Sequence, residues 1–198
     1  SLTTSNGSGE GTTLIKTDSI TVVSSPSASC IVSTRSNAPA AGIGITKVLL
    51  NEIDHSTAYD GDVHNDYSCS QTTSLEPNTT YDIRVQIGGL NNQWLRAYID
   101  YDNDGDFNEV DETIFSPANG KGWLSGTFTT PADPINDTYL LMRIITDFSG
   151  STLAGECVDP LGYGQVEDYA VFFPTVCTEP TLTSSTTPPS CTPGNDGT

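Results

Sequence analysis

The chain has 198 residues, which is enough for one substantial domain with flanking segments. Its formal net charge is −18, from 25 Asp or Glu against seven Lys or Arg. This balance argues against a nucleic acid or an anionic membrane as partner, because both attract a basic surface. No apolar run approaches the length of a membrane-spanning helix, so we expect no membrane insertion.

The cysteines indicate an extracellular protein. They are widely separated, without the short paired spacing of zinc sites, so disulfides are the favoured use. Their odd number means that at least one has no disulfide partner within this chain. Together with the Thr-, Ser- and Gly-rich, Lys-poor composition, they predict a secreted or cell-surface location. The cysteines are Cys30, Cys69, Cys157, Cys177 and Cys191.

The first part of the chain predicts a linker, two strands and a polar loop. Residues 1–12 are mostly Gly, Ser and Thr and predict a flexible linker, whereas Thr13–Val23 and Thr46–Ile53 predict strands. His55 and His64 follow among turn-forming residues. A Ser-His-Asp triad can be drawn around them, but no nucleophile elbow supports one. We therefore expect exposed loop histidines, no catalytic residues and no enzymatic activity.

Strong strand signals follow at residues 82–87 and 94–99. In both runs apolar side chains occupy every second position, which is typical of strands that bury one face. The buried face is predicted to consist of Ile83, Val85, Ile87, Leu95, Ala97 and Ile99.

Residues 100–111 carry a carboxylate at almost every second position around one glycine. Counted from Asp100, carboxylates fall at loop positions 1, 3, 5, 7 and 12, with Gly105 at position 6, as in EF-hand and dockerin loops. Glycine permits the sharp reversal, and so many like charges repel unless a cation neutralises them. An acidic solvated turn is the alternative. We predict a Ca²⁺ site formed by Asp100, Asp102, Asp104, Asp106 and Asp111.

Three aromatic residues next to Gly-rich turns are predicted to bind a ligand. Trp94, Trp123 and Tyr163 each follow a turn containing glycine, which leaves the ring face clear of neighbouring side chains. Flat aromatic faces provide a large rigid contact area for stacking on sugars. The alternative is that a Trp fills the core, and for Trp94 both interpretations stay open.

The last strands are predicted at residues 140–145 and 168–173 from the same alternation. Glu167 and Asp168 are adjacent and so point to opposite faces of a strand; we expect Arg143 to pair with one of them, and a second metal site is the alternative. Many short strands separated by turns predict an all-β fold, an antiparallel β-sandwich of jelly-roll-like type.

Two motifs resemble a known family. Tyr98–Phe107 and the sequence Gly-Gln-Val-Glu-Asp-Tyr at 164–169 occur in the order seen in the GEVED domain of secreted Bacteroidota proteins, with the pair Met142-Arg143 between them. The resemblance spans about residues 30–173, and Cys30 corresponds to the early cysteine of that family. Gln165 replaces the first Glu of the signature. The family implies a non-catalytic β-rich module attached to secreted proteases, glycoside hydrolases and adhesins.

The predicted organisation is a linker at 1–12, a calcium-stabilised module at 13–174, and at 175–198 a Pro/Thr/Ser linker with the start of the next module. Ser190–Thr198 resembles the opening of the SprB-type repeats of Bacteroidota surface proteins. The chain is thus expected to be a monomeric segment of a larger protein with covalently linked neighbouring domains. Within the module we expect a Cys30–Cys157 disulfide, with Cys69 as the alternative partner of either cysteine.

Two functional hypotheses follow. The first is an accessory module that binds a polysaccharide through exposed aromatic residues. The second is a protein-binding or adhesive spacer of a cell-surface protein. The acidic surface disfavours sulfated or uronate-rich polymers unless Ca²⁺ bridges them.

Overall fold

The structure is a computed structural model that describes residues 2–5, 11–14, 25–30, 41–57, 63–150 and 163–175. No helix in this part is long and apolar enough to span a membrane. The strands are β1 (Leu2–Ser5), β2 (Gly11–Leu14), β3 (Ile45–Leu50), β4 (Ile53–Ser56), β5 (His64–Asp66), β6 (Thr72–Ser74), β7 (Thr80–Ile87), β8 (Gln93–Ile99), β9 (Thr113–Gly120), β10 (Gly122–Thr129), β11 (Tyr139–Phe148) and β12 (Gln165–Phe172).

Strands β3 to β12 form two sheets that pack face to face. The four-stranded sheet has the order β10-β7-β3-β4, and the six-stranded sheet has the order β5-β12-β11-β8-β9, with β6 also on β12. All neighbours are antiparallel except β5 and β6, which both run parallel to β12. The predicted antiparallel β-sandwich is confirmed, with two short parallel strands added. β1 and β2 pair separately, so part of the predicted flexible linker is extended and paired.

The predicted alternation places the core correctly. The apolar positions of β7, β8, β11 and β12 face the space between the sheets and are almost completely buried there. Each buried side chain of this size contributes about 1.5–3 kcal/mol relative to exposure, so this layer is the main source of stability. It includes Ile83, Val85, Ile87, Leu95, Ala97, Ile99, Leu140, Met142, Ile144, Tyr169, Val171 and Phe173.

The strand predicted at Thr46–Ile53 is instead a hairpin. β3 ends at Leu50 and β4 begins at Ile53, with Asn51 at φ 49° in the turn between them. Asn tolerates the left-handed region better than most residues, so it can reverse the chain within two residues. Of the strand predicted at Thr13–Val23, only the first residues fall in β2, and residues 15–24 lie outside the described part.

A second, smaller apolar cluster covers the opposite face of the six-stranded sheet. Phe107 of the acidic loop belongs to this cluster, and Ala28 of the segment 25–30 packs against it. Part of that face is therefore covered by protein rather than by solvent. Its sheet residues are Tyr98, Leu141, Ile145 and Val166.

Candidate functional site

The acidic loop connects β8 to β9. It begins at Asp100, which is buried and whose N–H donates to the Leu141 carbonyl on β11 at 3.0 Å. The Asp100 carboxylate accepts the N–H groups of Asp104 at 3.2 Å and Gly105 at 3.0 Å. Burial raises the pKa of Asp100, although these N–H groups oppose the shift. Asn103 at φ 57° and Gly105 at φ 93° supply the reversal that the loop needs.

The carboxylates of the loop converge in three overlapping groups. In each group one oxygen of every member lies within 4.8 Å of the others. The groups are Asp100, Asp102 and Asp104; Asp104, Asp106 and Glu109; and Asp102, Glu109 and Glu112. Four of the five predicted ligands are thereby brought together, and two glutamates that the sequence interpretation missed join them.

Asp111 is the predicted ligand that belongs to none of these groups. It is exposed, whereas the next residue, Glu112, is 1% exposed and immediately precedes β9. The EF-hand spacing assigned the twelfth position to the final ligand because a helix follows the loop in that motif. Here a strand follows, and Glu112 lies two residues before the buried Ile114, on the same face of the chain. The sequence signal that could have identified Glu112 was the two-residue alternation of the following strand, which places residues 112 and 114 on the same face.

Glu112 is only partly satisfied inside the protein. Its Oε1 accepts the Tyr101 N–H at 2.8 Å. Its Oε2, like Oε2 of Glu109, is buried without a hydrogen-bond partner in the described part of the chain. Burial, followed by the neighbouring Glu109 carboxyl, raises the pKa of Glu112 to about 8. Two acidic groups thus face each other in a space that a cation could occupy.

The loop is anchored on both sides. The Gly105 carbonyl accepts two bonds from Ser29, from its N–H at 2.7 Å and from its hydroxyl at 2.8 Å. Phe107 is buried, and its ring is tilted against that of Tyr98, with ring centroids 5.6 Å apart. The Arg143 guanidinium carbon lies 5.5 Å from the centre of the Phe107 ring, within cation–π range. The acidic loop therefore also covers a charged group of the sheet.

Arg143 pairs with Asp168 below this cover. Nε and Nη2 of Arg143 each donate to one carboxylate oxygen at 2.8 Å, which is a bidentate ion pair. Nε2 of His64 on β5 lies 2.7 Å from Asp168 Oδ2. Asp66 lies opposite Asp168 in register, but its carboxylate accepts a hydrogen bond from the Ser68 hydroxyl instead. Burial alone would raise the pKa of Asp168, but the bonds from Arg143 and His64 lower it overall. The predicted pairing partner of Arg143 is Asp168.

Glu167 points the other way, into the space between the sheets, and is fully buried. Its Oε2 accepts the Tyr169 hydroxyl at 2.7 Å, and that hydroxyl lies 3.1 Å from Nδ1 of His55. Burial lowers the pKa of His55. The prediction of exposed loop histidines is wrong for His55, which lies on β4 with its ring edge-on to Tyr67. Both histidines contact β12, the strand that contains the Gly-Gln-Val-Glu-Asp-Tyr signature.

The three predicted ligand-binding aromatics do not form one site. Trp123 is 42% exposed on the outer face of the four-stranded sheet, with the Arg84 guanidinium carbon 4.8 Å from its ring centre. Trp94 is half-buried on the outer face of the six-stranded sheet, opposite Asp147 of β11. Tyr163 is 48% exposed, and its N–H donates to the same Asp147 at 2.9 Å. Trp94 and Tyr163 are thus both neighbours of Asp147, whereas Trp123 lies on the outer face of the other sheet.

The cysteine predictions are tested only in part. Cys30 is disulfide-bonded, and Cys69 is a free, exposed thiol, so the alternative in which Cys69 pairs with Cys30 or with Cys157 is wrong. Cys157, Cys177 and Cys191 lie outside the described residues. The Cys30–Cys157 pairing therefore stays a prediction.

Comparison with known families bears on the segment that holds these features. Residues 94–172 match the family model of the GEVED domain. The chain contains a GEVED domain. The match covers β8 to β12 with the acidic loop and the Arg143–Asp168 pair, and it confirms this part of the resemblance. No curated protein matches the chain. The SprB-like segment lies outside the described residues and stays a prediction.

The structure gives the GEVED signature strand a physical role. Gly164 lies so close to β11 that an added Cβ would be 2.0 Å from the Thr146 carbonyl oxygen. Gln165, which replaces the first Glu of the signature, is buried, and its Oε1 accepts the Ile45 N–H of the opposite sheet at 2.8 Å. An amide oxygen and a carboxylate oxygen can both accept that bond. The substitution therefore keeps this link between the two sheets.

Proposed function

We propose that this chain is a non-catalytic accessory module of a secreted or cell-surface multidomain protein, and that it binds a neutral polysaccharide. The observation that carries the proposal is Trp123, a large aromatic side chain exposed on the open face of the four-stranded sheet. Trp combines a large rigid apolar ring with a polar N–H group, so an exposed Trp offers a contact surface of the kind that binding sites use.

The surroundings of Trp123 suit a sugar. Gln86 lies opposite it in register on β7, and Arg84 stacks on the ring. These planar groups can donate hydrogen bonds to sugar hydroxyls while the ring contacts the C–H face. On the same face, two strands away from Trp123, Lys47 of β3 and Asp54 of β4 form an ion pair at 2.6 Å and add charged groups of both signs.

The affinity expected from one such site is weak. A stacked aromatic contact contributes about 0.5–1.5 kcal/mol beyond the area it buries. A single stacking residue with a few exposed hydrogen bonds therefore gives a Kd in the micromolar range or weaker. A micromolar Kd corresponds to a binding free energy of about −8 kcal/mol. Retention on an immobilised polymer, where many sites are available, is the suitable measurement.

The experiment compares two exposed aromatics on opposite sides of the protein. Affinity electrophoresis through gels containing xylan, laminarin, mannan, starch or soluble chitin is run with the parent chain, Trp123→Ala and Tyr163→Ala. We expect at least one polymer to retard the parent and Tyr163→Ala, and not Trp123→Ala. All three proteins should melt at similar temperatures, since each of the two residues is nearly half exposed and lies outside the core.

Equal retardation of Trp123→Ala and the parent would contradict the assignment of the site to Trp123. Migration unaffected by every polymer would contradict the function itself. The alternative, a protein-binding or adhesive spacer, would then be favoured by the open side of the sandwich. There β9 and β10 lie at the edges of the two sheets, next to a groove of about 500 Å³ lined by Phe115 and Phe128.

A further inference from the structure

We propose that the acidic loop binds a divalent cation, Ca²⁺ in preference to Mg²⁺, and that Glu112 rather than Asp111 is the ligand that closes the site. The proposal is independent of the sugar-binding function. It rests on the convergence of carboxylates and, separately, on the buried and unpartnered Oε2 of Glu112.

The unpartnered oxygen is the decisive observation. A carboxylate can only accept hydrogen bonds when ionised, and leaving one of its oxygens buried without a donor is costly. Glu112 is 1% exposed, so water does not readily supply the missing donor. One carboxylate oxygen of Glu112 lies within 4.8 Å of oxygens from Asp102 and Glu109, which are also acceptors. Only a cation or a proton can satisfy such a group of acceptors.

The charge of the loop points the same way. Six carboxylates converge here, and the ion pairs found among the described residues, Lys47–Asp54 and Arg143–Asp168, involve none of them. Like charges at such distances repel strongly even near a protein surface. A divalent cation removes this repulsion at once.

The ligand chemistry selects Ca²⁺. All converging groups are hard oxygen donors, without the His or Cys that zinc and other transition metals prefer. Two oxygens on opposite sides of one Ca²⁺, each at about 2.4 Å, lie about 4.8 Å apart. The oxygens of each of the three groups lie no farther apart than this, so one ion can contact all members of a group. Mg²⁺ requires a smaller and more regular shell, which an irregular loop supplies poorly.

A shared proton between Glu109 and Glu112 is the competing explanation. The two explanations predict opposite results for Glu112→Gln. Gln has the shape of a protonated Glu, so under proton sharing the variant keeps or gains stability and gains no sensitivity to Ca²⁺. Under metal binding it removes a charged ligand, which weakens Ca²⁺ affinity by at least the ten- to hundredfold typical of changes in the outer shell of a metal site.

The experiment is isothermal titration of CaCl₂, and separately MgCl₂, into the full chain after removal of metal with EGTA, together with melting curves. The matched pair is Glu112→Gln and Asp111→Asn, which remove the same charge from adjacent residues. We expect tight binding of Ca²⁺ and a higher melting temperature with Ca²⁺ for the parent and Asp111→Asn. For Glu112→Gln we expect an affinity at least about tenfold lower.

Asp102→Asn provides the second variant in case Glu112→Gln does not fold, because Asp102 is exposed and belongs to two of the converging groups. It should also lose affinity. A loss of Ca²⁺ affinity in Asp111→Asn, with normal Ca²⁺ binding in Glu112→Gln, would overturn the ligand assignment. A parent chain that neither binds Ca²⁺ nor changes its melting temperature in EGTA would overturn the metal site.

Discussion

Replacement of Asp168 by Asn is the sharpest test of how the signature strand is held. The change keeps the shape of the side chain and removes its charge, leaving the Arg143 guanidinium, 1% exposed, without a counterion. Arg143 donates two bonds of 2.8 Å to Asp168, and bonds to charged groups contribute about 1.5–3 kcal/mol each. An Asn can accept at most one of them, and its NH₂ group then faces the guanidinium.

From these contacts we expect Asp168→Asn to lower the free energy of unfolding by about 3–5 kcal/mol, the cost of breaking a buried pair on one side. The measurement is equilibrium unfolding in urea at neutral pH, followed by tryptophan fluorescence, at fixed Ca²⁺. The control is Asp54→Asn, which removes the same charge from the Lys47 pair. The Asp54 side chain is 69% exposed, so that loss should stay below about 1 kcal/mol.

The double variant Arg143→Met with Asp168→Leu separates charge from packing. Because neither side chain of the pair is then charged, we expect the double variant to recover most of the stability lost by Asp168→Asn. The reasoning would be refuted if Asp168→Asn and Asp54→Asn cost the same. That result would mean that water reaches Arg143 despite the cover provided by Phe107.

Two further predictions concern the same strand. The pKa of Asp168 is lower in the folded protein than in the unfolded chain, where it is about 4. The stability that Asp168 contributes is therefore complete above about pH 4 and is lost as the pH falls through the folded pKa. Urea midpoints measured from neutral to acidic pH should fall more steeply below about pH 4 for the parent than for Asp168→Asn, and parallel curves would contradict this. Gly164→Ala should destabilise the protein by about 3 kcal/mol or more, because the Cβ would meet the Thr146 backbone at 2.0 Å. Gly89→Ala, whose Cβ would meet nothing within 4 Å, is the matched control, and equal melting temperatures for the two variants would show that β11 can shift to make room.

The parts of the fold that the sequence predicts are those set by local alternation. A strand buried on one face must place apolar residues at every second position, so the core of β7, β8 and β11 could be read directly. The short strands β5 and β6 carry no such signal, because they are three residues long and polar. Their parallel pairing with β12 depends on where the chain is brought by the rest of the fold.

The site was predicted in part for the same reason. Asp100, Asp102, Asp104 and Asp106 belong to one loop, and their spacing alone brings them together. The role of Glu112 depends on the strand that follows the loop. A spacing taken from a loop that is followed by a helix places the last ligand one residue too early, at Asp111. The separation of Trp123 from Trp94 depends on which sheet each strand joins. Local sequence does not encode that choice, since β9 and β10 are consecutive yet enter different sheets.

The parallel strands β5 and β6 have a consequence for a chain made of repeated or adjoining modules. Both pair with the same edge of β12, next to Val166–Asp168 and Ala170–Phe172, while β11 occupies the other edge. A long apolar strand with a free edge is a template for pairing with an identical strand of another molecule, which leads to domain swapping or aggregation. Here two short polar strands cover that edge, so β12, which is buried along almost its whole length, cannot pair with neighbouring copies even when they are held at high local concentration.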